Sequence, residues 1–259
     1  MGGAVARAFA AAGARVFLTG HRMDSIRAVA DGITASGGKA EVDIVDGYDE
    51  AGVAAHLEKV RAQAGSVDIS FNAVDVPVLQ NVPLTEIPLE DFVRPVTQTM
   101  QTRFLTAKAA AKVMMEQRSG VIVFLTATPG GIGYPYTGGF AAANAAVENL
   151  SRNLASELGV YGIRVVTVRS GGSPDSAVFR SAIEKFPEMM DGVLKEMSED
   201  TMLKKLPPMA DIANTAVFLA SDLAASITGV TVDVTAGTTA ALNYRVRRRT
   251  FGSEPPLQK

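Results

Sequence analysis

The chain of 259 residues has no cysteine and only two histidines, His21 and His56, which lie far apart in the sequence. The absence of cysteine excludes disulfide bonds, thiolate nucleophiles and cysteine-ligated metal sites. Two distant histidines do not form the pattern of a zinc site. We therefore expect no metal centre.

A strong charge imbalance and long apolar runs are also absent. The formal net charge is −2, which gives no electrostatic reason to expect nucleic acid as a partner. No apolar run reaches the roughly 20 residues that cross a bilayer. The first residues lack the charged leader and apolar block of a signal peptide. We expect a cytoplasmic protein that binds neither nucleic acid nor a membrane.

Short apolar runs alternate with segments of helical periodicity along most of the chain, whose hydrophobic content is 47%. The pattern predicts buried strands near 14–19, 39–45, 67–73, 121–125 and 164–168 and an edge strand at 230–234. Between them it predicts helices near 2–13, 24–36, 49–64, 90–118, 139–158 and 211–221. This alternation indicates one α/β domain, residues 1–240, with a doubly wound parallel sheet.

Two segments break the alternation. Residues 172–208 contain polar, methionine-rich helical pieces bounded by prolines, which are either a lid or a surface insertion. Residues 241–259 combine four arginines with proline and serine. We expect this basic segment to be a solvated, mostly disordered tail.

The stretch GVIVFLTATPGGIGYPYTGGFAAANAAVENLSRNLASEL, residues 120–158, resembles the catalytic segment of the short-chain dehydrogenase/reductase family. The segments VDISFNAV, IRVVTVRSGG and FLASDLAASITGVTVDVTAG resemble other parts of that family, in the same order. The resemblance implies a Rossmann-like fold, NAD(P)-dependent oxidoreductase activity and a substrate lid at 172–208. It also implies a homodimer or homotetramer formed through helices 90–118 and 139–158.

The family's reactive residues are replaced in this chain. In the family, a tyrosine exchanges the proton, a serine holds the substrate oxygen, a lysine lowers the tyrosine pKa, and a helix asparagine anchors a water. The matching positions carry Phe140, Ala127, Asn144 and Thr99. Phe140 has no proton to give, Asn144 has no charge, and the Ala127 side chain cannot form a hydrogen bond. We therefore interpret the chain as a catalytically degenerate homologue with a binding or assembly function.

Two alternatives remain open. In the first, the chain acts as an NAD(P)(H)-dependent reductase or dehydrogenase of a small carbonyl or alcohol, relying on hydride proximity in an atypical site. Alternatively, it catalyses a non-redox lyase, isomerase or cyclase step with Tyr134, Tyr136 or Asp175 as acid or base. The two tyrosines are otherwise pocket-lining or surface aromatics.

The resemblance also implies which residues bind NADP or NAD: Gly2, Arg22, Asp46, Asn72 and Gly171. Arg22 suits an adenosine 2′-phosphate, which favours NADP, unless it is an ordinary exposed arginine. Asp46 and Asn72 are alternatively loop-capping residues.

The family's first strand and glycine-rich loop have no counterpart before Met1-Gly2. We interpret this as a start codon assigned too late, and the fold as incomplete at its amino terminus. Two strands would then lack a neighbour, and each buried unpaired backbone group costs about 1–3 kcal/mol. We expect weak cofactor binding in this form.

Overall fold

The structure is a computed structural model that describes residues 1–240, so the predicted tail at 241–259 lies outside the described residues. The strands are β1 Arg15–Gly20, β2 Lys39–Ile44, β3 Ile69–Asn72, β4 Gly120–Ala127, β5 Ile163–Ser170 and β6 Thr231–Val234. The helices are α1 Gly2–Ala11, α2 Met23–Ala35, α3 Glu50–Ala64, α4 Leu89–Gln117, α5 Gly139–Leu158, α6 Ala177–Lys185, α7 Pro187–Glu199 and α8 Met209–Ala220. The predicted alternation of strands and helices is confirmed.

All strand pairs in residues 1–240 are parallel. They form two hydrogen-bonded sheets, where the sequence predicted one sheet in which two strands lack a neighbour. One sheet pairs β1 with β2, and the other has the order β3-β4-β5-β6. The pairing of β4 with β5 is the longest, from Gly120 opposite Ile163 to Ala127 opposite Ser170. β1 and β3 therefore each pair along one edge only.

The one-sided pairing changes the burial of β1. The sequence predicted a buried strand at 14–19, yet no residue of β1 is buried, and its apolar residues Val16, Phe17 and Leu18 are only half-buried. In contrast, Val165, Val166 and Val168 of β5 are completely buried. A strand is covered on both edges only when two neighbours pair with it, and β1 has one.

Helices cover both faces of the larger sheet. On one face, Val5 and Phe9 of α1 and Ile212 and Leu219 of α8 pack against the valines of β4 and β5. Side chains of β1 and β3 border the same cluster, so both sheets share one core. On the other face, α4 and α5 pack against alternate residues of β4 and β5. This three-layer arrangement confirms the predicted single α/β domain.

The contact between α4 and α5 depends on a glycine. A Cβ atom added to Gly139 would lie 2.0 Å from the carbonyl oxygen of Phe92 and 2.7 Å from Cγ of Pro95. Both residues belong to α4, which continues through Pro95 as one helix. The start of α5 therefore approaches the α4 backbone more closely than any other residue type would permit.

Within residues 1–240, no helix combines the length and the apolar character needed to cross a membrane. Residues 172–208, predicted as helical pieces, form α6, α7 and the loops around them.

We predict that Gly139→Ala lowers the free energy of unfolding by about 1–3 kcal/mol, because the added methyl group overlaps backbone that cannot move independently. Chemical denaturation followed by circular dichroism measures the change. Gly159→Ala is the matched control, because a Cβ added at Gly159 would meet no atom within 4 Å. Equal stability of the two variants would contradict the close packing of α4 and α5.

Candidate functional site

The carboxyl ends of the central strands meet at one edge of the larger sheet. Asn72 ends β3, Ala127 ends β4 and Ser170 ends β5, with Ala127 directly opposite Ser170. Helix α5 begins at the same edge and carries Phe140 and Asn144. In parallel α/β sheets, ligands bind outside the carboxyl ends of the strands. This edge is therefore the candidate site.

Three of the positions predicted to hold replaced catalytic groups come together at this edge. The Asn144 Oδ1 atom accepts a hydrogen bond from the Ala127 N–H at 2.9 Å, and its Nδ2 atom donates to the Phe140 carbonyl at 2.7 Å. Asn144 is buried, and Phe140 is half-buried. The Asn144 amide thus joins the end of β4 to the start of α5. Among these three side chains there is neither a charge nor an acidic proton.

Thr99, the fourth replaced position, lies half-buried on α4. Its carbonyl accepts the Thr102 hydroxyl at 3.2 Å, a bond within the helix. The structure gives its side chain no link to Ala127, Phe140 or Asn144.

An ion pair that the sequence analysis missed lies one helical turn beyond Asn144. The Glu148 carboxylate, in a residue only 4% exposed, accepts two hydrogen bonds from Arg169 of β5, at 2.9 Å and 2.5 Å. A third Arg169 nitrogen donates to Asp233 of β6 at 2.8 Å. The Thr126 hydroxyl donates to Glu148 at 2.9 Å. The hydrogen bond to Glu148 is the main reason that the pKa of Arg169 is raised, against the opposing effect of burial.

The loop after β4 rests directly on this ion pair. A Cβ atom added to Gly131 would lie 2.4 Å from the Arg169 Cζ atom, and one added to Gly130 would lie 3.0 Å from Oε1 of Glu148. The two glycines therefore bring the loop backbone into contact with the charged groups. A signal was present in the sequence, since Arg169 interrupts the apolar run VVTV and Glu148 falls on the inner face of an alanine-rich helix.

The same loop carries the two tyrosines proposed as substitute acids. Tyr134 has a raised pKa, first because of burial and second because of the Asp200 carboxylate. The raised pKa keeps the phenol protonated at pH 7, so it cannot act as a base, and it also makes the phenol a weaker acid than a free tyrosine. Tyr136 is more exposed and has a positive φ of 60°, and its carbonyl accepts the Asn81 N–H at 2.8 Å.

Asp175 was the third proposed acid or base. Its carboxylate oxygens accept the Met209 N–H at 3.0 Å and 3.2 Å, at the first residue of α8. A carboxylate in this position caps the helix and is stabilised by the positive end of the helix dipole. Its observed interaction is therefore structural.

Two of the predicted cofactor-binding side chains cap loops. The Asp46 Oδ1 atom accepts the Tyr48 N–H at 2.9 Å. The Asn72 Oδ1 atom accepts hydrogen bonds from the Val74 N–H, at 3.0 Å, and from Arg103. The Asn72 Nδ2 atom donates to two residues of α4, to the Thr102 carbonyl at 3.1 Å and to the Thr106 hydroxyl at 2.8 Å. These contacts match the loop-capping interpretation that the sequence left open.

Arg103 is a second buried charge that the sequence analysis did not find. Burial lowers the pKa of its guanidinium to about 10, so it remains positively charged at pH 7. It bonds Asn72 and donates to the Val74 carbonyl at 3.2 Å, while its Nε atom is buried without a partner. Through these hydrogen bonds, Arg103 holds the loop after β3 against α4.

The other predicted cofactor residues lie at the carboxyl edge with their backbones near the site. Gly2 begins α1, and a Cβ atom on it would lie 3.1 Å from Cβ of Ala73, just after β3. Arg22 is exposed immediately before α2. The Gly171 N–H donates to the Val234 carbonyl at 2.9 Å. In the described part of the chain, no group of three His, Asp or Glu residues is placed to hold a metal ion.

Parallel strands that end at a common edge, with helices on both faces, define a doubly wound α/β protein of the dinucleotide-binding class. A family model described as enoyl-(acyl carrier protein) reductase matches residues 1–239. Levodione reductase of Leifsonia aquatica is 31% identical over 244 residues, which cover 93% of this chain and 91% of that protein. The 3-oxoacyl-acyl-carrier-protein reductase FabG of Escherichia coli (strain K12) is 30% identical over 237 residues, 92% of each chain. The chain belongs to the short-chain dehydrogenase/reductase family.

Solved structures agree with this assignment. The crystal structure of a levodione reductase matches with a TM-score of 0.85 at 28% identity, and covers 93% of this chain and 94% of that one. A sorbitol-6-phosphate 2-dehydrogenase from Erwinia amylovora matches with a TM-score of 0.83 at 27% identity, over 90% of this chain and 93% of that one.

We predict that Arg169→Met lowers the free energy of unfolding by about 3–5 kcal/mol, because it leaves the buried Glu148 carboxylate without its partner. The double variant Glu148→Met/Arg169→Met should recover much of this loss. Urea denaturation of the three proteins measures the coupling. Arg94→Met is the control: Arg94 pairs with Asp91 at 2.6 Å on the surface, where an ion pair contributes about 0–1 kcal/mol.

Proposed function

We propose that this protein is an NAD(P)(H)-dependent reductase or dehydrogenase of a small carbonyl compound or alcohol, with an atypical catalytic site. The family match over residues 1–239 carries the proposal. The named relatives at about 30% identity are reductases, and each aligns with more than nine-tenths of this chain. The carboxyl-edge site lies where ligands bind in such folds.

The residues at this edge fit a dinucleotide in part. The amino terminus of α1 at Gly2 offers unpaired N–H groups of the kind that bind phosphate. Arg22 is exposed at the end of β1, where it can reach an adenosine 2′-phosphate. Asp46, Asn72 and Gly171 follow or end the neighbouring strands and can shape the pocket through the loops they cap. We propose weak binding, because the side chains of Asp46 and Asn72 are already engaged in those loops.

Reduction of a carbonyl requires a hydride and a proton at the same site. A bound nicotinamide would supply the hydride. The proton must come from the protein or from water, because Ala127 and Phe140 have no acidic group and the Asn144 amide is held by backbone contacts. We propose Tyr134, on the loop after β4, as a slow donor, because burial raises the pKa of its phenol and makes it a weaker acid than a free tyrosine. A reaction without a positioned acid loses about 10²–10⁴-fold in rate.

A second candidate is the degenerate protein with a binding or assembly role. One observation favours this candidate: the Asn144 amide is buried, and both of its polar atoms form hydrogen bonds with the backbone of Ala127 and Phe140. A site in which these groups stabilise the backbone retains the fold without the family's chemistry. A lyase or isomerase step based on Asp175 has less support, because that carboxylate caps α8.

We propose that α4 and α5 also form the interface of a homodimer or homotetramer, as the resemblance implies. On α5, Ala145 is exposed and Ala146 is half-buried, and such small residues let a second backbone approach closely, whereas the alanines of α4 are buried within the chain. On α4, Phe104 is 46% exposed, with only the Lys108 ammonium 5.8 Å from its ring centre. Burial against a second copy would remove this apolar surface from water.

We predict slow turnover of a carbonyl panel by the natural sequence with NADPH or NADH, measured by loss of absorbance at the nicotinamide band. Tyr134→Phe should abolish this turnover, while Tyr136→Phe, the matched control on the same loop, should leave it unchanged. The triple variant Ala127→Ser/Phe140→Tyr/Asn144→Lys should exceed the natural rate. Phe140→Tyr alone should not, because without a lysine the new phenol keeps a pKa of about 10. Cofactor binding with no turnover on any substrate would favour the degenerate candidate.

We predict that NADPH binds more tightly than NADH, by about tenfold, and that Arg22→Ala removes the difference without weakening NADH binding. Fluorescence titration of the purified chain measures both affinities. Arg27→Ala provides a control, because Arg27 is an exposed arginine within α2 rather than at the turn before it. Equal affinities for the two cofactors in the natural sequence would remove the proposed role of Arg22.

A further inference from the structure

The outer face of α7 has an apolar half and an acidic half. Met189, Val193, Glu196 and Asp200 recur at intervals of four, three and four residues, so they share one face of the helix. All four are exposed, and Met189 is 58% exposed. The apolar pair lies toward the amino end of the helix, and the acidic pair lies at its carboxyl end. Exposed apolar side chains beside exposed carboxylates are typical of a surface that binds a basic, apolar partner.

The described chain ends beside the acidic half of this face. The Leu203 N–H donates to the Ala236 carbonyl at 3.1 Å. A Cβ atom on Gly237 would lie 2.7 Å from Cβ of Met202. Residues 236–240 therefore leave the fold next to the loop that follows Asp200. Nineteen further residues, 241–259, continue from this point.

In that segment, the order of charged and apolar residues matches the order of acidic and apolar residues on the α7 face. Its four arginines come first, at 245 and 247–249, and Phe251 follows them. Read from the carboxyl end of α7, the face is first acidic and then apolar. From Asp200 back to Met189 the helix rises about 16 Å. An extended chain covers about 13 Å from Arg247 to Phe251, and the residues between Ala240 and Arg247 add about 23 Å of reach.

We propose that this face of α7 is the docking surface for residues 241–259 of the same chain. The arginines pair with Glu196 and Asp200, and Phe251 packs on Met189 and Val193. The sign and order of the charges favour this occupant over a second copy of the same face, which carries no basic residue to pair with Glu196 and Asp200.

The chain contains no cysteine, so a pair of introduced cysteines tests the contact without interference. In the full chain, Met189→Cys/Phe251→Cys should form an intrachain disulfide at least about tenfold faster than Asp191→Cys/Phe251→Cys, because a docked segment raises the effective concentration at one face only. Asp191 is also exposed on α7 but lies on a different face. Mass spectrometry of samples quenched at intervals measures the two rates.

Charge reversal tests the electrostatic half of the contact. Adding Glu196→Lys/Asp200→Lys to the Met189→Cys/Phe251→Cys protein should slow the disulfide to the rate of the control pair. Adding Glu188→Lys/Asp191→Lys, an equal charge change off this face, should leave the rate high. Similar rates for positions 189 and 191 would overturn the proposal in favour of a solvated segment. Interchain disulfides that increase with protein concentration would overturn it in favour of a second copy.

Discussion

The pairing of β4 with β5 is the constraint on which the rest of the structure depends. The two strands match over their whole length, from Gly120 opposite Ile163 to Ala127 opposite Ser170. Their alternate side chains point to opposite faces of the sheet. On one face they pack against α1 and α8, and on the other they pack against α4 and α5. Because both strands end at the same level, the loops after them open at one edge. The position of the candidate site is a consequence of that register.

The site at this edge combines a familiar framework with a different set of interactions. In this chain, Asn144 of α5 binds the end of β4 through the Ala127 N–H and the start of its own helix through the Phe140 carbonyl. One turn later, Glu148 and Arg169 form a buried ion pair that links α5 to β5, and Asp233 extends it to β6. A buried ion pair contributes little net stability compared with an apolar pair, but it tolerates few alternative arrangements. We interpret the network as a rigid support for the loop that carries Tyr134.

The division of the strands into two sheets affects the part of the carboxyl edge that is formed by the ends of β1, β2 and β3. β1 and β3 each have a hydrogen-bonded neighbour on one side within residues 1–240. Arg22 and Asp46 lie in the loops after β1 and β2, and Asn72 ends β3. The residues that we propose for cofactor binding are therefore supported by strands that pair on one side only. The half formed by β4 and β5 has pairing on both sides of each strand. This contrast is a physical reason for the weak cofactor binding that we propose.

The sequence by itself determined the order and type of the elements. Apolar, β-branched runs at 121–125 and 164–168, alanine-rich helical periodicity at 139–158 and glycine stops after α1 and α2 are local signals, and the structure contains the corresponding strands and helices. The motifs around Ala127, Phe140 and Asn144 also indicated where the site would lie. Only the tertiary structure decided which strands lack a second neighbour, because pairing joins residues that are distant in the chain. It also decided that Glu148, Arg169 and Asp233 meet and that Asp46, Asn72 and Asp175 serve as caps, because the partner of a charged side chain depends on which elements pack beside it.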